Sequence, residues 1–389
     1  MVERVPVIIV GAGPIGLTLA LELERHGIET LVVESNEITT TEPQVDMVNG
    51  RSMELFRRLG VADSLRKVAI AADRDTVVSW VSKLDGWELT RFTYPGATRS
   101  REQTRARNDG HGSLEPRVRL PRKRLESVLR STLENDARHV SVQYGWSIES
   151  FHQDRGRVDV VLRSSDTGQL RTVRADYLAG CDGAESVVRR GLGIELDAIV
   201  VRVLIARELG SPAYAGQAGE DPDAAPRPPA DYVVHFTTGD RTLFEKYGRV
   251  WHIQSPQGWT LISQNDADSW TLHGPLGAGQ DPSQIDPREF LFTTLGCRFD
   301  CDIHAAGALT PYLAVAESYG AGRVWLAGDS VHQFPLAGCY GMNTGIGDAV
   351  GLGWALAANL QGWGTPALLA AYEIERHEVA LRNRAAAGQ

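Results

Sequence analysis

The sequence contains no run of eighteen apolar residues, so nothing in it predicts a transmembrane helix. It carries no excess of positive charge. Its 40 Lys and Arg stand against 49 Asp and Glu, a formal net charge of −9, which gives no overall attraction for nucleic acid or an anionic membrane. It is poor in cysteine, with only Cys181, Cys297, Cys301 and Cys339. These four are not spaced as a disulfide framework and fit a reducing cytosol, so the expected location is cytoplasmic. The apolar stretch Val5–Val10 runs straight into glycines with no small-residue cleavage site beyond it, unlike a signal peptide. Internal repeats and low-complexity tracts are also lacking. Cys297, Cys301 and His304 lack the fourth ligand and tight loop spacing of a zinc site. Cys297, Phe299 and Cys301 alternate as one face of a strand would, and the expectation is buried thiols with no metal.

What is present is enough to bury a large core: 389 residues, 42% of them hydrophobic, with a length that suggests two structural units. Val5–Val10 reads as a buried strand, Ile15–His26 as a helix and Thr30–Glu34 as the next strand, a β-α-β unit. Arg51–Leu59 and Arg122–Leu133 have helical spacing. Val77–Tyr94 reads as a hairpin about Asp85-Gly86. Further strands are expected in Val140–Arg163 and Val173–Leu178, and at Tyr232–Phe236, Arg249–Ile253, Trp259–Ser263 and Val324–Ala327. Ala213–Pro229 reads as a loop, and helices are expected over Asn343–Leu360 and Pro366–Arg384. The implied fold is α/β, a Rossmann-like dinucleotide-binding domain interrupted by a mostly antiparallel β-sheet domain. We expect residues 1–70, 115–195 and 306–389 in the first, and 71–114 and 196–305 in the second.

Three motifs carry chemistry. In the first, Gly11, Gly13 and Gly16 form G-x-G-x-x-G between a strand and a helix. Such glycines give a tight turn, close approach of backbone to a pyrophosphate, and close helix–strand packing. The helix N-terminus, at Pro14 and Ile15, adds open N–H groups and a positive dipole end. Glu34 ends the second strand, where a carboxylate accepts from ribose hydroxyls and repels a 2′-phosphate. The second motif is YLAGCDGAESVVRRGLGI, from Tyr177 to Ile194, and the third runs from Gly322 to Trp363. In the third, Asp329 follows a buried strand, where its carboxylate suits a ribityl or ribose hydroxyl. Gly338, Gly341 and Gly345 allow approach to a flat ring, and Met342-Asn343 opens a long helix whose N–H groups suit a flavin O2 and N1 edge.

In this order and spacing the chain resembles the class A flavoprotein aromatic monooxygenases, the family of p-hydroxybenzoate hydroxylase and phenol hydroxylase. The resemblance implies FAD as cofactor, with NADH or NADPH as a transient reductant. It implies that Asp182 serves both FAD and the nicotinamide cofactor, that Asp329 holds the FAD ribityl, and that Gly341, Met342 and Asn343 hold the isoalloxazine. It places Arg51 near the FAD phosphates and Arg122 at an FAD-contacting position; Pro335 joins the expected cofactor contacts. Two departures stand out: Glu185 where arginine is usual, and Cys339 where glycine is common.

The chemistry implied is hydroxylation of a phenolic or polycyclic aromatic substrate by O2 through a flavin C4a-hydroperoxide, in a monomer or homodimer that needs no nucleic acid or membrane. Gln44-Val45-Asp46 has the spacing of a Q-A-D segment of phenol hydroxylase-like enzymes, which makes Asp46 the candidate for removing the phenol proton; it could equally cap a helix or pair with Arg51. His332 is read as a structural histidine beneath the flavin loop. Alternatives kept open are Baeyer–Villiger oxygen insertion, epoxidation, and a non-catalytic flavin-binding protein. A flavin halogenase would be expected to carry a W-x-W-x-I-P segment, which is lacking here.

Overall fold

The computed structural model of the chain describes residues 3–36, 47–200, 231–240, 244, 246–277, 280–309, 312–334 and 339–387. Strand β1 (Glu3–Val10) leads into α1 (Pro14–Arg25), and β2 (Thr30–Glu34) returns parallel to β1 with Val7 opposite Thr30. β2 pairs in turn with β7 (Val140–Tyr144). On its other side β1 runs parallel to β10 (Leu170–Gly180), and β10 to β19 (Val324–Leu326), which the short β18 (Gly320–Ala321) closes as a hairpin. β8 (Trp146–Gln153) and β9 (Val158–Ser164) add an antiparallel arm to β10. Strands in mid-sheet are covered on both faces, which is why Val7–Val10 and Leu31–Val33 are unbroken apolar runs and do not alternate. Because β2 and β10 flank β1 on opposite sides, the chain parts at the C-terminal end of β1. Sheets of this kind bind ligands in that crevice.

Helices cover this sheet. α1 is buried from Pro14 to Leu23 because α8 (Tyr340–Leu360) lies against it, and Gly353 lets α8 close onto Leu19 and Glu22. The buried Glu22 is neutralised by Arg58 of α2 (Gly50–Arg58) at 2.7 Å. α3 (Ala62–Val68) follows α2, and α5 (Arg122–Asp136) buries Leu125, Leu129 and Leu133 at helical spacing. The short α6 (Val187–Gly191) follows the second motif, and α9 (Ala367–Ala387) ends the described chain, with Tyr372 Oη donating to Leu326 O at 2.7 Å.

A second sheet has the order β16 (Asp302–Leu309), β12 (Asp231–Thr237), β15 (Ser269–Pro275), β14 (Thr260–Ser263), β13 (His252–Gln254), β4 (Thr76–Val81) and β5 (Glu88–Tyr94). It is antiparallel except where β13 runs parallel to β4. One face packs with α7 (Pro287–Leu295) around Val234, Phe236, Leu261, Leu272 and Leu295, a hydrophobic core separate from that of the first sheet. Two small sheets complete the fold: β11 (Leu196–Val200) with β17 (Tyr312–Ala316) and β20 (His332–Gln333), and β3 (Met47–Val48) with β6 (Val118–Arg119). No helix among the described residues is long and apolar enough to cross a membrane.

Three sequence expectations need correction. The β4–β5 hairpin is present, but its loop is Ser82–Trp87 and not a two-residue Asp-Gly turn, with the ladder shifting between Trp80 and Val81. Cys297, Phe299 and Cys301 form no strand. They follow the α7 C-cap at Gly296 in irregular chain, where Phe299 and Cys301 are buried and Cys297 is half-buried. α4 (Ala97–Arg107) was not anticipated, because it buries no residue and so has no apolar stripe to read. The loop expected at Ala213–Pro229 lies outside the described residues.

Candidate functional site

A groove of about 340 Å³ opens at the C-terminal end of the first sheet. Gly11, Gly13, Glu34, Arg122 and Asp182 all line it. Gly11 has φ +101°, and a side chain there would collide with Cys181 O; one at Gly16 would collide with Gly11 O. The loop is therefore closed to any larger residue at both positions. Glu34 braces it directly: its Oε2 accepts from Ala12 N–H at 2.8 Å, while Oε1 accepts from Asn36 N–H at 3.0 Å. The first turn of α1, begun by Pro14, points its open N–H groups into the groove. Arg122 lies over Gly13, where an added Cβ would sit 3.3 Å from Nη2, and it is held by Glu126 at 2.6 Å. Burial and the nearby Glu34 push the Glu126 carboxyl above the usual range, against the pull of Arg122. Asp182 accepts from Ser186 Oγ at 2.5 Å and Val188 N–H at 3.1 Å, so it shapes the turn into α6 as well as lining the groove.

The groove contains contacts that the sequence did not flag. Tyr144, at the C-terminal end of β7, lines it beside Trp146, and its buried hydroxyl has no partner among the described residues. Burial pushes that phenol above its ordinary value. An orphaned donor beside two aromatic rings and an acidic strand end suits the adenosine half of a dinucleotide. The sequence signal was the position itself, the end of the parallel strand beside β2.

At the other end, Ile15 joins the first and third motifs: side chains at Gly328 or Gly345 would run into it. Asp329, in the 3-10 turn Gly328–Ser330, faces the first turn of α8, where an added Cβ at Gly341 would sit 3.7 Å from Asp329 Oδ1. Desolvation by neighbouring protein raises the Asp329 carboxyl above the ordinary range, against the pull of His332 and Arg122. Its side chain is nonetheless exposed to solvent, and water offsets part of that cost. Met342 is buried. Asn343 spends its side chain on the protein: Oδ1 accepts from Asn49 N–H at 2.9 Å and Ser52 Oγ at 2.7 Å, and Nδ2 donates to Met47 O and Cys339 O. What this helix end offers a ligand is backbone N–H. Cys339 caps it at φ +54°, a left-handed conformation that glycine adopts without cost.

A buried ion network lies beneath this end. Asp348, fully buried in α8, accepts from Gly328 N–H at 3.2 Å, meets His332 Nε2 at 2.6 Å and binds Arg376 Nε at 2.7 Å. Burial alone would raise its carboxyl, but His332 and Arg376 together hold it below the ordinary range. His332, also fully buried, is thus part of the floor under Asp329. The residue-level signal for Asp348 was a lone acid in the apolar stretch of α8.

Arg51 does not join the groove: its side chain is 75% exposed and binds Glu54 at 3.1 Å. Asp46 and Pro335 lie outside the described residues. The second sheet is tied over this site by Arg119 of β6. Its Nη1 binds Asp266 at 2.6 Å, its Nη2 donates to Ser263 O at 2.8 Å, and it stacks over Trp251 at 5.5 Å. Met47, across the β3–β6 pair from Arg119, is the residue whose carbonyl Asn343 holds. Together these donors, glycines and carboxylates fit an extended dinucleotide with a flat ring, phosphates at the glycine loop and ring toward α8.

Comparison with known proteins gives the same cofactor. The family described as "FAD binding domain" matches residues 4–205 and 298–387. The FAD-dependent monooxygenase apdD of Emericella nidulans is 34% identical over 96% of this chain and 58% of its own length. The 4-methyl-5-nitrocatechol 5-monooxygenase of a Burkholderia species is 30% identical over 97% of this chain and 64% of its own. The crystal structure of the flavin-dependent monooxygenase PieE in complex with FAD and substrate superposes with a TM-score of 0.82 at 28% identity, over 99% of this chain and 63% of that one. The chain thus spans about three fifths of the length of these relatives.

Proposed function

Because this chain belongs to the FAD-binding domain family and has the p-hydroxybenzoate hydroxylase-like fold, we propose that it is an NADH- or NADPH-dependent monooxygenase that uses O2 to hydroxylate a phenolic or polycyclic aromatic compound. The observation that supports this reading is the groove lined by Gly13, Glu34, Arg122 and Asp182, with the Asp329 turn and the start of α8 packed beside it through Ile15, and a second sheet tied down by Arg119. Bound FAD would supply the redox and oxygen chemistry.

The chain's own residues have distinct tasks. The Gly11–Gly16 loop and Arg122 would receive the pyrophosphate. Glu34 and Tyr144 receive the adenosine, and Asp329 the ribityl chain. The N–H groups opening α8 would hold the ring edge on which negative charge develops. The second sheet excludes water above the ring. Asp46, between β2 and β3 in the chain, is the candidate base for the phenol proton, on the spacing of its Gln44-Val45-Asp46 segment. The relatives support this reading: all three are named monooxygenases, one of a nitrocatechol.

The test is a substrate panel run on the FAD-loaded protein, following NADH and NADPH oxidation together with product mass. A product one oxygen atom heavier than a phenolic substrate, formed with nucleotide consumption, is the expected result. Flavin that neither nucleotide reduces, with or without aromatics, would leave only a flavin-binding protein.

A further inference from the structure

The groove that takes the pyrophosphate is acidic. Among the described residues that line it, three carboxylates, Glu34, Glu126 and Asp182, stand against one guanidinium, Arg122. Two of these acids are already engaged by the fold. Glu34 accepts from Ala12 and Asn36 N–H, and Asp182 from Ser186 Oγ and Val188 N–H. Glu126 differs. It lies one turn along α5 from Arg122 and is 2% exposed. Its hydrogen-bond partner among the described residues is Arg122 alone, whose Nε donates to Oε1 at 2.6 Å. The same guanidinium reaches over the glycine loop, where an added Cβ at Gly13 would sit 3.3 Å from Nη2. Arg122 thus stands between a buried carboxylate on its Nε side and the phosphate-binding loop on its Nη side.

With the groove empty, one positive charge answers one negative charge. With FAD bound, the same guanidinium must answer the carboxylate and the pyrophosphate together, in a space from which the ligand expels water. Repulsion between the two anions grows as the water leaves, and a buried charge left short of its partner is costly. Neutralising the carboxyl removes that repulsion and leaves the guanidinium charge to the phosphates. The site leans this way before the ligand arrives: burial and the nearby Glu34 hold the Glu126 carboxyl above the ordinary range, against the pull of Arg122. Arg122 on its own helix, Glu34 at the end of β2 and Tyr144 at the end of β7 are the ionisable groups that act on it among the described residues. Of these only Arg122 favours the charged form, and the phosphates compete for it.

We infer that FAD enters this groove together with one proton, taken from solvent onto a carboxylate oxygen of Glu126, which is a neutral acid in the loaded protein. Proton uptake requires FAD in the groove and no turnover, so failure of the proposed hydroxylation leaves it standing. The test titrates FAD into the chain freed of flavin, from about pH 5 to 8.5, and follows flavin fluorescence. Native affinity should be highest at the acid end and weaken by up to about tenfold per pH unit across the linked range. Binding heats measured in two buffers of different ionisation enthalpy should show the proton taken up. Glu126→Gln, which fixes a neutral side chain of the same size, should bind FAD with level affinity across the range, no more weakly than native at the alkaline end, and without proton uptake. Asp329→Asn, at the other carboxyl that Arg122 pulls on, should bind more weakly but keep the native slope. Level native affinity with no proton taken up would overturn the assignment, and this measurement needs no variant to fold. A Glu126→Gln chain that keeps the native slope, or an Asp329→Asn chain that loses it, would place the proton elsewhere and overturn it too. Glu126→Gln that weakens FAD about tenfold at every pH would make Glu126 an ionised brace for Arg122, which also overturns it.

Discussion

Replacing Asp348 by Asn tests whether the floor of the flavin site is held by charge. The carboxylate has three partners, Gly328 N–H at 3.2 Å, His332 Nε2 at 2.6 Å and Arg376 Nε at 2.7 Å, and is itself fully buried. An amide keeps the volume and one acceptor but removes the charge. Losing one partner of a buried ion pair costs about 3–5 kcal/mol. Arg376 retains 19% side-chain exposure and the amide oxygen still accepts one bond, so about 2–3 kcal/mol is the expected loss here. For a chain of this size that lowers the thermal midpoint by about 2–4 °C. The same substitution loosens Gly328-Asp329, so FAD should dissociate more readily. Arg376→Gln, which leaves the bonds to Gly328 and His332, should lower the midpoint with less effect on FAD. The pH dependence has a fixed sign. Asp348 is depressed in the folded state, so its contribution is complete above the ordinary aspartate value of about 3.9 and fades only as pH falls through the lower, folded value. The gap between native protein and Asp348→Asn should therefore be flat from neutral pH to about 4 and close below it. Paired scanning calorimetry and flavin-release fluorescence read both quantities. An unchanged midpoint with unchanged FAD release at pH 7 would refute the reasoning.

Two further expectations concern the groove and the chemistry. Asp329→Ala removes a carboxylate facing the start of α8 and should weaken FAD binding by about ten- to a hundredfold, read as flavin-to-protein ratio after gel filtration; fully yellow protein would contradict its role. Asp46→Ala should lower product formation by about 10²-fold or more while flavin reduction by NADH or NADPH proceeds in stopped flow, and undiminished product would remove Asp46 from the reaction.

The legible part of this protein was local in the chain. Gly11, Gly13 and Gly16 sit within one turn, and Glu34 ends the next strand, so the strand–loop–helix–strand unit was readable from pattern alone, and the structure has it as β1, α1 and β2. Asp329 and α8 were legible for the same reason. Asp348 was not, because its partners are 20 residues back at Gly328 and 28 ahead at Arg376, and only packing unites them. Tyr144 was hidden because a tyrosine at a strand end looks like any core aromatic until its unpaired hydroxyl is seen. Helix α4 was missed because a helix polar on every side has no periodic apolar signal. The Cys297–Cys301 alternation misled for the opposite reason: three residues are too short to separate a strand from an irregular stretch that happens to bury two of them.

Asn343 and Arg119 together have a mechanical consequence. One amide side chain grips the start of α8, the α2 cap and the β3 carbonyl, and the strand paired to β3 carries the arginine that grips the upper sheet. The two plates of the molecule are thus geared through a two-strand coupling barely four residues wide. A displacement of the upper plate would therefore pull on that coupling and, through Met47 and Asn343, on the start of α8.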